Sequence, residues 1–250
     1  MPPMTTLHDI RQKIASGELV VGTHVSLLDP SISELLAGVG FDFLWIDTEY
    51  SVFDRGALQQ HLVAAQAGGA AAFVRTSWND PVLAKPVLEM RYAEEARAAV
   101  AACLYPPAGV RGFGPRRAAR YGMVPAEQSF WRLMKIEHVD AVETLDGILD
   151  VEGVDSIVVV PNDLSGPLGL LGQTQHPEVV RLCDRIAEVA KRRKVPFGSS
   201  IGDDPAVVQR WIERGVDWIT TGTDTGCLHA GGRRALEQAR DMRSRQKGRP

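Results

Sequence analysis

Apolar positions along the chain gather into short β-branched or aromatic runs, separated by longer stretches with helical spacing, which is the pattern of a parallel sheet built from βα units. Seven runs read as strands: LVVGTHVSL (19–27), FDFLWID (41–47), AAFVRT (71–76), FWRLMKIE (130–137), DSIVVVP (155–161), VPFGSSI (195–201) and VDWITTGTD (216–224). Between them, DPSISELLAGVG opens on Asp29-Pro30 and closes on Gly38 and Gly40, the marks of a capped helix. NDPVLAKPVLEM repeats the Asp-Pro opening. HPEVVRLCDRIAEVAKRRK and DDPAVVQRWIERG are amphipathic and end in basic residues or glycine.

A strand every roughly 20 to 40 residues suits a (β/α)8 barrel, which takes about 250 residues. The expected fold is therefore α/β: a TIM-type barrel, in one domain over residues 1–250. The rhythm fails once, where PVLAKPVLEM runs straight into RYAEEARAAVAACLYPP with no strand or turn signal at Met90-Arg91. The expected barrel is accordingly a modified one: either the sheet differs locally from a standard barrel, or a strand of about ten residues is missing after Met90.

Composition narrows the partners. With 44% hydrophobic and 24% charged residues, the chain can bury one large core. A net charge of −3, from 28 basic and 31 acidic residues in no long one-sign block, argues against nucleic acid and membrane surfaces and for a small-molecule ligand. Cys103, Cys183 and Cys227 are odd in number and far apart, so neither a disulfide framework nor a zinc site is expected. MPPMTTLHDIRQKIASGEL lacks a signal peptide's apolar core and no run approaches the ~18 apolar residues of a membrane span, so a cytoplasmic location is expected.

A barrel's functional residues lie at the C-terminal ends of its strands, where the βα loops meet. Those ends here carry Asp47, Glu49 and Tyr50, then Arg75, Glu137, Asp163 and Asp224. Residues two apart on a strand share a side, so Asp47 and Glu49 stand together. Acids converging on one mouth repel unless a cation joins them. Glu137 and Asp163, from neighbouring strands, suit a hard ion such as Mg²⁺ or Mn²⁺; the competing reading is that each caps a following helix. Arg75 either fixes a substrate oxygen in its planar fork or pairs with a nearby acid. Lys135 shares the side of Glu137, as an amine nucleophile or as an ion-pair partner. His24 faces the mouth or the core, His61 sits on a helix, His229 in a late loop, and His138 and His176 read as structural. The loop YPPAGVRGFGPRRAARYG (105–122), with Arg111, Arg116, Arg117 and Arg120, reads as an anion-receiving loop or as solvated basic surface, and its GFG is no nucleotide fingerprint.

In the runs ELLAGVGFDFLWIDTEY, VRTSWNDP, YPPAGVRGFGPRRAARYG, LDVEGVDSIVVVPNDLSGPLGLLGQTQHPEV and GVDWITTGTDTG, the chain resembles the HpcH/HpaI aldolase/citrate lyase family, in particular its metal-dependent class II pyruvate aldolases. The resemblance covers nearly the whole chain. It implies a modified barrel that exchanges its last helix between subunits, giving a homo-oligomer of dimers, often a hexamer. It also implies cleavage of 4-hydroxy-2-oxo acids to pyruvate and an aldehyde, with Mg²⁺, Mn²⁺ or Co²⁺ on the pyruvyl oxygens. By that likeness Glu137 and Asp163 hold the metal, Arg75 steadies the enolate, and backbone N–H groups around Asn162 and Asp163 receive the substrate carboxylate. Glu89 stands for an acid near the aldehyde end, sometimes supplied across a subunit boundary.

Three departures qualify the likeness. The family's Asp-x-Glu-His, whose aspartate orients the histidine acid/base, reads Asp47-Thr48-Glu49-Tyr50 here; a tyrosine, with a reference pKa of about 10, donates protons well and accepts them poorly. Lys135 and Val160 replace a common glutamine and glycine, adding charge beside the metal and bulk beside the pyruvate. The third departure is the strand after Met90. The expected function is a metal-dependent carbon–carbon lyase working through a pyruvate enolate, with oxaloacetate decarboxylation surviving better than aldol cleavage. The alternatives are a catalytically weakened 2-oxo acid binder and a Lys135 Schiff-base enzyme.

Overall fold

The computed structural model describes residues 5–75, 87–90, 100–101, 103–104, 107–109 and 131–247. Eight strands, β1 (Val20–Val25), β2 (Phe43–Asp47), β3 (Ala71–Arg75), β4 (Val87–Met90), β5 (Leu133–Ile136), β6 (Ser156–Val159), β7 (Phe197–Ile201) and β8 (Trp218–Thr223), form one sheet in the order β3-β2-β1-β8-β7-β6-β5-β4. Every ladder is parallel. The edge strands β3 and β4 approach each other without sharing a ladder, so the sheet curls back on itself in the manner of a modified TIM-type barrel.

All seven expected strands are present, each within a residue or so to three of its assigned ends. The eighth corrects the reading of PVLAKPVLEM as helix. Val87–Met90 is a strand whose residues pair with Leu133 to Ile136, Glu89 lying opposite Lys135. The physical reason is length: four residues show too little alternation to outweigh the three-to-four spacing around them, while Pro86 favours an extended start. Residues 91–99, where a strand was expected to be missing, lie outside the described residues.

The described helices are α1 (Leu7–Ala15), α2 (Ser31–Val39), α3 (Arg55–Gly68), α4 (Val139–Glu143), α5 (Leu145–Leu149), α6 (Pro161–Ser165), α7 (Pro177–Arg193), α8 (Pro205–Glu213) and α9 (Asp224–Lys247). His138 and His176 are structural, as expected: each accepts a backbone N–H at 3.3 Å, capping α4 and α7. Among the described residues no helix is long and apolar enough to cross a membrane.

Two apolar layers support the mouth. Outside the sheet, Met134, Ile136, Ile157 and Val159 pack with Val179, Leu182 and Ile186 of α7. On the face that carries Asp47, aromatic rings form a floor: Phe43 stacks on Phe73 with centroids 4.2 Å apart, and Trp218 meets Phe43, Phe73 and Trp45 at about 6 Å. Gly198 makes room for this, because a Cβ there would lie 2.1 Å from the Trp218 ring.

Candidate active site

β2 and β3 end side by side, with Asp47 opposite Arg75 in register. That places a carboxylate against a guanidinium at the sheet's C-terminal rim. Arg75 donates from Nε to Asp47 Oδ1 at 3.0 Å and from a terminal nitrogen to Oδ2, so the pair is two-pronged and buried. The backbone N–H groups of Glu49 and Tyr50 also donate to Oδ1, at 2.9 and 3.1 Å. Burial pushes the Asp47 carboxyl up, but Arg75 and these two amides outweigh it and hold the group below its ordinary range.

Glu49 folds back over the same arginine. Its Oε2 is 3.2 Å from Arg75 Nε, but that proton goes to Asp47; buried Oε2 accepts no hydrogen bond among the described residues. Tyr50 is 72% exposed and lays its ring over the guanidinium, 4.5 Å from Cζ. Burial, and then the Glu49 charge, raise its pKa above the ordinary value, so at neutral pH it is a phenol.

Lys135, in β5, is 2% exposed. Its Nζ lies 2.6 Å from Glu137 Oε2, 3.1 Å from Asp163 Oδ2 and 3.8 Å from Glu49 Oε2. Asp163 reaches it from α6, which starts where β6 ends, and Val160 caps that helix with its backbone alone. The structure thus brings together Asp47, Glu49, Tyr50, Arg75, Lys135, Glu137 and Asp163. Their four carboxylates outnumber the two cations, leaving two negative charges in excess within this described set.

Two residues stand elsewhere. Asp224, expected at the mouth, is 1% exposed and spent on the chain itself: it accepts the N–H groups of Ser26 and Leu27 at 2.6 and 2.7 Å and the Ser26 hydroxyl at 2.9 Å, pinning the loop after β1. Asn162 is exposed on the first turn of α6. The backbone of Glu89 lies beside Lys135, while its side chain and most of loop 105–122 lie outside the described residues.

Sequence reasoning missed a hydroxyl cluster on the β7–β8–β1 side. His24 Nε2 lies 2.9 Å from both Ser200 Oγ and Thr220 Oγ1, where β1 shifts register against β8. Burial, then the positive charge of Arg75, depress its pKa to about 4. His24 is therefore a neutral imidazole near pH 7. The alternation in GTHVS was a signal for its inward position, but the partners come from strands far along the chain.

A model of the HpcH/HpaI aldolase/citrate lyase family matches residues 21–230. The chain belongs to this family. It is 35% identical over 239 residues to a 4-hydroxy-2-oxo-heptane-1,7-dioate aldolase of Salmonella paratyphi C (strain RKS4594), covering 88% of this chain and 90% of that one. Among solved structures, an HpcH/HpaI aldolase/citrate lyase family protein from Burkholderia cenocepacia J2315 is 28% identical, with a TM-score of 0.85 over 92% of this chain and 98% of that one. The citrate synthase SbnG is 26% identical, with a TM-score of 0.81 over 94% and 98%. This HpcH/HpaI family member is thus a carbon–carbon lyase, of a family whose class II aldolases depend on a divalent metal.

The residues present suit such an ion. Glu137 and Asp163 supply hard oxygen donors that already converge on a single cation position, now taken by Lys135 Nζ. Among the described residues no three His, Cys, Asp or Glu side chains gather as a ligand set.

Proposed function

We propose that this lyase acts on 2-oxo acids through a pyruvate enolate, with Glu137 and Asp163 holding Mg²⁺ or Mn²⁺. The observation that supports this is the convergence of those two carboxylates on one cation position, close to the buried Arg75–Asp47 pair. Held by Glu137 and Asp163, such an ion would supply Lewis-acid stabilisation of charge that develops on the substrate. Arg75, locked by Asp47 on one side and faced by Tyr50 on the other, directs a fixed positive charge at the enolate oxygen. The first-turn amides of α6, at Asn162 and Asp163, receive the substrate carboxylate, and Glu89, in register with Lys135, serves the aldehyde end.

Retro-aldol cleavage requires a base to take the proton of the 4-hydroxyl. Tyr50 retains its own proton and His24, with a pKa of about 4, is a weak base, so that step is poorly served. Decarboxylation of oxaloacetate reaches the same enolate by loss of CO₂, and the Tyr50 phenol is suited to returning a proton to it. The expected result is faster Mg²⁺- or Mn²⁺-dependent pyruvate release from oxaloacetate than from a 4-hydroxy-2-oxo acid, both abolished by a chelator. Faster aldol cleavage, or release unaffected by the chelator, overturns this reading.

Lys135 supports a second reading, a weakened 2-oxo acid binder, because its ammonium stands where the ion would sit. Calorimetric titration with pyruvate, with and without Mn²⁺, alongside turnover separates the two. The Schiff-base alternative is disfavoured by the same contacts, which an amine nucleophile must give up, and borohydride trapping at Lys135 tests it. We also propose a homo-oligomer. The 24-residue α9 is exposed along almost its whole length after Asp224, in keeping with an exchanged last helix.

A further inference from the structure

The ammonium of Lys135 has a second acceptor within reach. It lies closer to Glu137 and Asp163, at 2.6 and 3.1 Å, than to Glu49 Oε2, at 3.8 Å. Glu49 Oε2 is buried and accepts no hydrogen bond among the described residues; its other ionic neighbour, Arg75 Nε, donates to Asp47 instead. A buried carboxylate oxygen without a donor is costly, and an ammonium carries three donors on a rotatable end.

We propose that Lys135 is a movable cation with two berths: it rests on Glu137 and Asp163 when no divalent ion is bound, and shifts to Glu49 Oε2 when one is. This rests on the metal reading above. An ammonium and a divalent ion cannot share the same carboxylate oxygens without strong repulsion. The lysine need not leave the site, because with its charge retained the described cluster still carries two excess negative charges for the ion to neutralise. The movement is small, since Glu49 already stands next to Nζ. In the metal-free protein the ammonium also keeps Glu137 and Asp163 from repelling each other. Glu49 thus acts through Lys135, as a positioning residue.

Calorimetric titration of the full chain with MnCl₂ tests this in wild type, Lys135→Met, Glu49→Gln, the double variant and Glu137→Gln, with folding checked by thermal melts; Lys135→Gln serves if the methionine variant does not fold. Removing the competing ammonium is expected to tighten Mn²⁺ binding about 10-fold or more. Glu49→Gln is expected to weaken binding in wild type by about threefold or more, and to have little effect in the Lys135→Met background, a non-additive cycle. Unchanged affinity in Lys135→Met, or an equal loss from Glu49→Gln in both backgrounds, overturns the two-berth proposal while leaving the metal reading intact. Failure of every form to bind Mn²⁺, or binding indifferent to Glu137→Gln, removes the metal reading and the berths with it.

Discussion

In the proposed mechanism Tyr50 takes the position from which a base would serve the aldol reaction, and its environment keeps it protonated. Tyr50→His substitutes a side chain with a reference pKa of about 6.5 and is expected to raise kcat/KM for aldol cleavage about 10-fold or more. Oxaloacetate decarboxylation should change less, so steady-state kinetics on both substrates check the assignment; an unaltered ratio in a folded variant counts against it. His24 makes a separate prediction. Its folded pKa, about 4, lies below the ordinary 6.5, because of burial and the nearby cations Arg75 and Lys135, with Asp47 and Asp224 opposing. The unfolded chain therefore binds more protons than the folded one between those values, and stability falls as pH drops from about 6.5 toward 4. His24→Gln should flatten that part of the profile in denaturant melts taken across the range. At this scale the sequence was partly legible: two-residue spacing put Lys135 beside Glu137. The Asp47–Arg75 bond depends on the register of two strands, and the spending of Asp224 on Ser26 and Leu27 joins residues nearly 200 positions apart, so neither followed from local pattern.

Secondary structure elements were most legible where they were long or buried on both faces. β2 is buried at all five positions, which made it a nearly continuous apolar run, and α7 announced itself by amphipathic spacing over 17 residues. β4 escaped because its identity lies in its pairing with β5 rather than in its four letters. The aromatic floor was equally invisible, since Gly198 and Trp218 meet only once β7 and β8 pair in register. That contact can be tested directly. Gly198→Ala forces a Cβ into the Trp218 ring, and overpacking of this kind costs about 1–3 kcal/mol. A Tm lowered by several degrees in calorimetry is expected; an unchanged Tm means the floor yields more easily than its ring contacts indicate.

At the scale of the whole molecule, α9 is an element that the described core does not explain. α9 packs on β8 and β1 near its start, then continues with Leu228, Leu236 and Met242 exposed. Helices in proteins owe most of their stability to a packed face, and Gly231 and Gly232 in the middle of this one cost about 1 kcal/mol each relative to alanine. Neither glycine has a neighbour within 4 Å of where a Cβ would be, so nothing in the described chain requires them to be small. The proposed exchange of this helix with a second copy would supply a reason for both glycines and a cover for the three apolar side chains. A chain ending after Gly226 retains the Asp224 clamp on the loop after β1, and so is expected to keep the sheet and its melting behaviour. It should lose the oligomer: light scattering behind size exclusion is expected to give a multiple of the 27.2 kDa chain mass for the full protein and a single-chain mass for the shortened one. If the full protein already runs as one chain, the long helix is not an exchanged element and its glycines need another explanation.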